Sequence, residues 1–413
     1  MNTTTINNSS GKVLVLGTDT RVVLAIARSL GRHKIAVHLG WLDRNSIARR
    51  SRYVTRVHEL PAYHPTDTRW KTELLRFLDQ ERFDLVIPCN DSTLVPLQLN
   101  RQDFADAPGL HLHRQEVFDV VFDKLKSYEL ASRLGVAVPP AVLVKTRADQ
   151  EPAGRLQFPV VVKPTTTFDG RSAECQSSVV VRADDRRALG EILAVPPYSH
   201  GCLVQEVFDG TGMGVEVLVD EGRILTAFQH QRLHETMEYG SSYRKSVPLL
   251  PELREAADKL MRALGYTGIG MVEFLYNLKD RRWIFVEING RFWGSLPLAV
   301  NAGADFPYFL YQFWVENRRE FPQGYPSEVY CRNLLLDWQG RKRRKPNGDS
   351  RLRGLCKDVA ALVSLRDYLD SFSLDDPAPM VGELGQFARA AIGKLRAKVA
   401  GQPRHEPIMA AAK

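Results

Sequence analysis

Residues 283–294 read W-I-F-V-E-I-N-G-R-F-W-G, and residues 271–276, shortly before them, read M-V-E-F-L-Y. Both runs are strand-like, and N-L-K-D-R-R between them supplies a turn, so an antiparallel hairpin is expected. With Asn277 opposite Trp283, the register sets Glu273 directly across from Glu287 on one face. Like charges opposed in this way destabilise a sheet, and a cation between them turns the repulsion into a binding site. Asn289 and Arg291 continue that face at the two-residue period, and Trp283 and Phe285 also fall on it. Val272, Phe274, Ile284, Val286 and Ile288 make the other face apolar. Hard cations such as Mg2+ take carboxylate and amide oxygens and keep phosphates and waters as further ligands. Glu273, Glu287 and Asn289 suit that chemistry, and Arg291 is placed to meet a developing phosphoryl or tetrahedral charge. A solvated hairpin face is the plainer alternative.

The surrounding chain is ordinary in bulk. Its 413 residues exceed one core of typical size, so two or three domains are expected. Hydrophobic content of 44% with 25% charged residues belongs to a globular protein, and no apolar run is long enough to cross a membrane as a helix. The start, M-N-T-T-T-I-N-N-S-S-G, lacks the basic and apolar regions of a secretory signal and reads as a disordered arm over 1–11. Five scattered cysteines without metal spacing point to free thiols in a reducing cytoplasm. The net charge of +8 gathers at the end of the chain. From Cys331 onward there are about 16 Lys/Arg against about 9 Asp/Glu, including R-K-R-R-K at 341–345.

Strand-like K-V-L-V-L-G at 12–17, a helical pattern through Leu30, and further strands at Ile35–Leu39 and Asp84–Pro88 predict a parallel α/β domain over 12–120. G-T-D-T at 17–20 is no dinucleotide fingerprint. Asn90 and Asp91 follow a strand at the carboxyl end, where such sheets bind ligands, although Asp91 could equally cap the next helix. From Val121 to about 330, strands expected at 158–163, 178–182, 203–208, 214–219 and 224–229 are mostly hairpin-connected, which predicts an α+β domain. Residues 331–413 read as a basic linker followed by helical patterns at 354–371 and 380–399. The second pattern aligns Met380, Val381, Leu384, Phe387, Ala391, Ile392 and Leu395 in one stripe, to pack on the body or to meet an anionic membrane surface. R-K-R-R-K has no accompanying nucleic-acid module.

Three further segments carry chemistry. Lys163 ends the apolar run F-P-V-V-V-K, where its ammonium needs a counter-charge or water. Lys124 stands in F-D-K-L-K, where one of the two lysines should face solvent. L-V-Q-E-V-F-D-G at 203–210 runs a strand into an acidic turn able to hydrogen-bond an adenine. In H-Q-R-L-H-E-T-M-E-Y-G-S-S-Y-R-K at 230–245, an anion-binding loop and an ordinary charged loop are both open. Zinc at His230 and His234 lacks a third ligand.

In this order and spacing the pieces resemble the ATP-grasp superfamily, and within it the carboxylate–amine ligases and carbamoyl-phosphate-synthase-like members, over roughly 12–325. The resemblance implies an N-terminal parallel α/β (pre-ATP-grasp) domain, then a two-subdomain ATP-grasp fold over 121–330 with its lid at about 136–202, then a basic helical C-terminal tail. It implies that Lys124 and Lys163 contact ATP phosphates and that Gln205, Glu206, Val207 and Phe208 hold the adenine. It implies Mg2+ or Mn2+ at Glu273, Glu287 and Asn289, with Arg291 on the acyl phosphate and Arg232 near the γ-phosphate. Gly240, Ser241 and Ser242, with Asp91, would touch substrate.

The activity so implied is phosphorylation of a small-molecule carboxylate to an acyl phosphate and its coupling to an amine, with release of ADP and phosphate. The enzyme would be cytoplasmic, could form a homodimer, and could rest on the inner face of a membrane through its tail. A carboxylase-type member activating bicarbonate is the alternative, although no biotinyl M-K-M segment is present, and a non-catalytic nucleotide-binding protein of the same fold is another. Two departures stand out. The lid after Lys163 reads P-T-T-T-F-D-G-R-S, with hydroxyls where glycines are usual. The carboxylate that holds the ribose is also not evident, Asp209 and Glu216 being nearest.

Overall fold

The computed structural model describes residues 11–18, 20–165, 180–195, 198, 201–235, 241–337 and 367–399, with 390–399 described by backbone alone. Residues 1–10 of the arm expected over 1–11, most of the lid loop after Lys163, Gly240, R-K-R-R-K and residues 354–366 of the helical pattern expected over 354–371 lie outside the described residues.

Four strands, β1 (Lys12–Leu16), β2 (Ala36–Gly40), β3 (Val54–Val57) and β4 (Leu85–Pro88), form a parallel sheet in the order β3-β2-β1-β4. β1 is apolar throughout because both of its faces are covered, as in other parallel sheets. Val13 and Val15 pack with the helix Thr20–Arg32, and Leu14 and Leu16 pack with Trp70, Leu74 and Phe104. A second, antiparallel sheet comprises β5 (Ala141–Val144), β6 (Val160–Pro164), β7 (Val181–Ala183) and β8 (Cys202–Glu206), ordered β5-β8-β6-β7 over a small core of its own.

The third sheet has seven strands: β9 (Thr211–Asp220), β10 (Arg223–Glu235), β11 (Ser241–Ser246), β12 (Gly268–Tyr276), β13 (Trp283–Asn289), β14 (Tyr330–Arg332) and β15 (Asp367–Leu369). Their order is β13-β12-β9-β10-β11-β14-β15. In β9 the run T-G-M-G-V-E-V-L-V alternates. Met213, Val215, Val217 and Val219 face the helix Pro251–Leu264, while Gly212, Gly214 and Glu216 face the other way by the two-residue period. Beyond the polar part of that second face, Leu218, Phe228, Ile269 and Met271 share one apolar core with the N-terminal domain.

The glycines make room for side chains from the neighbouring strand. A Cβ on Gly214 would lie 2.4 Å from Cε1 of His230 and 2.9 Å from Sδ of Met271. Gly214→Ala is therefore expected to destabilise the protein by about 1–3 kcal/mol through overpacking. An unchanged thermal midpoint would show that the imidazole yields at no cost.

The C-terminal region departs from the helical reading. Residues 367–369 form β15, parallel to β14 at the end of the large sheet, because the aspartates that follow meet arginines from distant elements. Asp370 pairs with Arg244, Asp376 with Arg28, and Asp375 with Arg32. The helix Ala378–Val399 does not bury the first part of its apolar stripe. Val381 is 67% and Leu384 51% exposed, and buried Gly382 instead brings the backbone against Arg50 and Ile47. Glycine permits that close approach, so the contact face is set by the small residue rather than by the stripe. Ala391, Ile392 and Leu395 lie where side chains are not described.

Candidate functional site

The hairpin forms with one change of register. Tyr276, not Asn277, lies opposite Trp283, and a bulge between Glu273 and Phe274 on one strand and Phe285 and Glu287 on the other restores Glu273 opposite Glu287. Val286 is the extra residue. A bulge shifts the alternation by one, so Trp283 and Phe285 do not share the acidic face. Both pack with Val272, Phe274 and Ile288 around the core under the helix Pro251–Leu264.

The two carboxylates are bridged and ringed by cations. Asn289 Nδ2 donates to Glu273 Oε1 at 3.1 Å and to Glu287 Oε1 at 3.4 Å. Arg232 reaches Glu273 Oε2 at 2.6 Å, and Lys124 Nζ lies 3.6 Å from Glu287 Oε2. Burial raises the Glu273 carboxyl above its ordinary value despite Arg232. Burial acts the same way on Glu287, but Lys124, Lys163 and Arg291 outweigh it and hold that group low. Among the described residues no cluster of three or more His, Cys, Asp or Glu could hold a metal. Two carboxylates and an amide make an incomplete hard-cation site, of the kind that phosphates and waters complete. A rotation of the Asn289 amide would exchange its donor end for its oxygen.

Arg291 is held by a residue 200 positions away. Its Nε donates to Asp91 Oδ1 at 2.9 Å and its second terminal nitrogen to Asp91 Oδ2 at 3.1 Å, a bidentate pair. Asp91 is therefore not the helix cap, and its carboxylate is engaged by Arg291 at the cavity wall. Asn90 holds the N-cap position of the helix Asp91–Leu99, and its N–H donates to Thr93 Oγ1 at 3.3 Å.

Lys163 sits on β6, pairing across to Leu203, with Lys124, Glu287 and Glu273 as its charged surroundings. On β8, Gln205 is buried, and the carboxylate of Glu206 accepts from the N–H of Gln157 at 2.8 Å. The N–H groups of Glu206 and Val207 donate to the carbonyls of Pro140 and Pro159, so these two donors are already engaged. Phe208 follows the end of the strand.

A cavity of about 320 Å³ lies between the N-terminal domain and the large sheet, and Lys124, Lys163 and residues 205–208 are not in its lining. Asp91, Arg232, Ser241, Glu273, Glu287, Asn289 and Arg291 line it. Ser242 does not, since it is fully buried and donates to Asp337 at 3.2 Å. Sequence reading missed Arg21, Ser92, Trp293 and Ser295, which also line the cavity. The carboxyl end of β1 was the available signal for Arg21, and R-F-W-G-S, directly continuing β13, was the signal for Trp293 and Ser295.

Residues 121–295, which cover the smaller antiparallel sheet and the large sheet's strands β9 to β13, match the family described as the ATP-grasp domain. The chain contains an ATP-grasp domain. The carbamoyl phosphate synthase large chain of Vibrio cholerae is 25% identical over 224 residues, 52% of this chain and 20% of that protein, so the match spans about a fifth of the relative's length. The L-amino acid ligase from Bacillus licheniformis superposes with a TM-score of 0.56 at 17% identity, covering 74% of each chain. The biotin carboxylase domain of Hydrogenobacter thermophilus 2-oxoglutarate carboxylase, in complex with MgADP, ADP and bicarbonate, does so with a TM-score of 0.60 at 17% identity, covering 77% of this chain and 73% of that one. The ATP-grasp domain is preceded by the parallel sheet expected for it and is followed by strands that lengthen its large sheet. No helix among the described residues is long and apolar enough to cross a membrane.

Proposed function

We propose that the protein is an ATP-dependent ligase that phosphorylates a small-molecule carboxylate to an acyl phosphate and joins the acyl group to an amine, releasing ADP and phosphate. The observation that carries this reading is the opposed pair Glu273 and Glu287, joined by Asn289 and ringed by Lys124, Lys163, Arg232 and Arg291 at one cavity wall. Lys124 and Lys163 are the phosphate contacts of ATP. Glu273, Glu287 and Asn289 are the ligands of Mg2+ or Mn2+, which when bound neutralises phosphate charge.

A carboxylate oxygen of the substrate attacks the γ-phosphorus, and the bond from that phosphorus to the ADP oxygen breaks. The amine then attacks the acyl carbon, and phosphate leaves with the electron pair of the C–O bond. Arg232 and Arg291 stabilise the charge that develops on the phosphoryl and acyl oxygens. The cytoplasm is the fitting compartment for such an ATP-consuming enzyme. Activation of bicarbonate in place of a larger acid is the second reading, supported by the fold shared with the biotin carboxylase domain that holds that anion.

The test is nucleotide analysis with ATP, Mg2+, pooled small carboxylates or bicarbonate, and hydroxylamine as a general amine. Acid-dependent ADP with a hydroxamate is the expected result, whereas ADP dependent on bicarbonate alone favours the second reading. AMP and pyrophosphate would reject both.

Lys163 gives a pH signature for this reading. Burial, with Lys124 adding to it, lowers its ammonium to about 8. A phosphate prefers the charged form, so above that pH binding must take up a proton, and below it none is needed. The Kd for MgATP is expected to be flat from about pH 6.5 to 7.5 and to rise up to about tenfold per pH unit above 8. Calorimetry with the wild type and Lys163→Met checks this, and the variant should lose the slope. A flat wild-type profile up to pH 9.5 rejects the contact.

A further inference from the structure

Beyond the carboxylate pair, the polar face of the large sheet holds a second cluster. Glu273, Gly214 and His230 lie opposite one another across β12, β9 and β10. The imidazole of His230 rests over the space that Gly214 leaves. Its Nδ1 lies 2.9 Å from Glu216 Oε1, and the hydroxyl of Ser295 donates to that same oxygen at 3.0 Å. The side chains of Glu216 and His230 are 0% and 1% exposed. His230 and Ser295 both line the cavity, yet Nε2 of His230 has no hydrogen-bond partner among the described residues. A buried polar nitrogen left unmet costs about 1–3 kcal/mol, and a native interior rarely leaves one without a purpose.

Burial pushes Glu216 well up and His230 well down, the cations Arg232 and Arg244 adding to the effect on the imidazole. Both shifts favour the uncharged forms, a carboxylic acid beside a neutral ring. With the acid's proton directed at Nδ1, the ring hydrogen stays on Nε2 and makes it a donor. Two strand spacings, about 10 Å, separate this position from Glu273, on the side away from Lys124 and Lys163. Arg232, two residues along β10, is the cation nearest the carboxylates, so the sheet presents a charged donor at the phosphoryl end and an uncharged one at the inner end.

We propose that His230 binds the acid substrate, its Nε2 donating to the acyl oxygen, with Glu216 and Ser295 as positioning residues that hold the ring. The inference rests on the ligase reading above. A neutral donor suits an oxygen whose charge changes from carboxylate to acyl phosphate to tetrahedral oxyanion, because it need not grip the starting anion most strongly.

The experiment compares wild type, His230→Phe and His230→Gln in steady-state kinetics with the acid found in the hydroxamate assay, and in calorimetric titration with MgATP. His230→Phe is expected to lower kcat/KM for the acid by about 10²-fold while leaving the Kd for MgATP within about twofold. His230→Gln, which keeps an N–H donor at similar reach, should recover at least about a tenth of the wild-type value. Wild-type kcat/KM in His230→Phe overturns the inference. So does a parallel loss of MgATP affinity, or a Gln variant no better than Phe, since either marks a merely structural role. If the wild type binds MgATP but releases no acid-dependent ADP, the ligase reading itself fails and this inference falls with it.

Discussion

Arg291→Ala is expected to lower the rate of acid-dependent ADP release by about 10²- to 10³-fold while leaving the fold in place. Arg291 lies two residues beyond Asn289, the last residue of β13, and lines the cavity that holds both carboxylates. Its charge is secure. Burial would lower its pKa, but Asp91, Glu287 and Glu273 hold it above the ordinary arginine value. The bidentate pair with Asp91 fixes its plane, which lysine cannot reproduce. Arg291→Lys should therefore fall between alanine and wild type.

Alanine leaves Asp91 without its partner, but that side chain is 14% exposed beside a polar cavity, where water can replace the lost contact. The loss of rate is thus expected without collapse of the far-ultraviolet circular dichroism spectrum. Near-normal turnover in a folded Arg291→Ala protein would reject the assignment of this cavity as the reaction site.

Asp370→Asn is expected to destabilise the protein by about 3–5 kcal/mol, because it strands a charge in the interior. Arg244 and Asp370 have side-chain exposures of 0% and 1%. Arg244 would keep the attraction of Glu216, but burial raises that carboxyl well above its ordinary value and so weakens the attraction. The comparison variant is Arg244→Met with Asp370→Asn, which removes both charges and should recover most of the loss. Urea titration followed by tryptophan fluorescence measures both. A cost below about 1 kcal/mol for the single variant would mean that Glu216 is ionised and neutralises Arg244, which would also remove the neutral-pair argument for His230. The same pair joins β15 to the strand that carries Ser241 of the cavity wall. Segment 367–376 is therefore a structural part of the body rather than a loose tail.

Much of the candidate site could be read locally. The two-residue period put Glu273 and Glu287 on one face, and an apolar strand ending in Lys163 marked a cation in need of a counter-charge, although its place near those carboxylates emerged only in the fold. Two positions within the hairpin could not be read that way. Periodicity carries no mark of a single inserted residue, so the bulge at Val286 and the inward turn of Trp283 and Phe285 emerged only in the pairing. The adenine segment at 203–210 was legible as a strand. The use of the Glu206 and Val207 N–H groups by Pro140 and Pro159 was not, since those acceptors lie on separate segments.

What the sequence by itself determined is what neighbours within a few residues determine: which segments are strands, which side chains share a face, and that the hairpin resembles a metal-binding motif. The tertiary structure alone decided that Asp91 would hold Arg291 from 200 residues away, and that Asp370 would reach Arg244 across 126. It also decided that His230 would lie over Gly214 beside Glu216. A local pattern records the backbone's preference and the face of each side chain. A buried charge finds its partner through packing of distant elements, and nothing in the residues next to it names that partner.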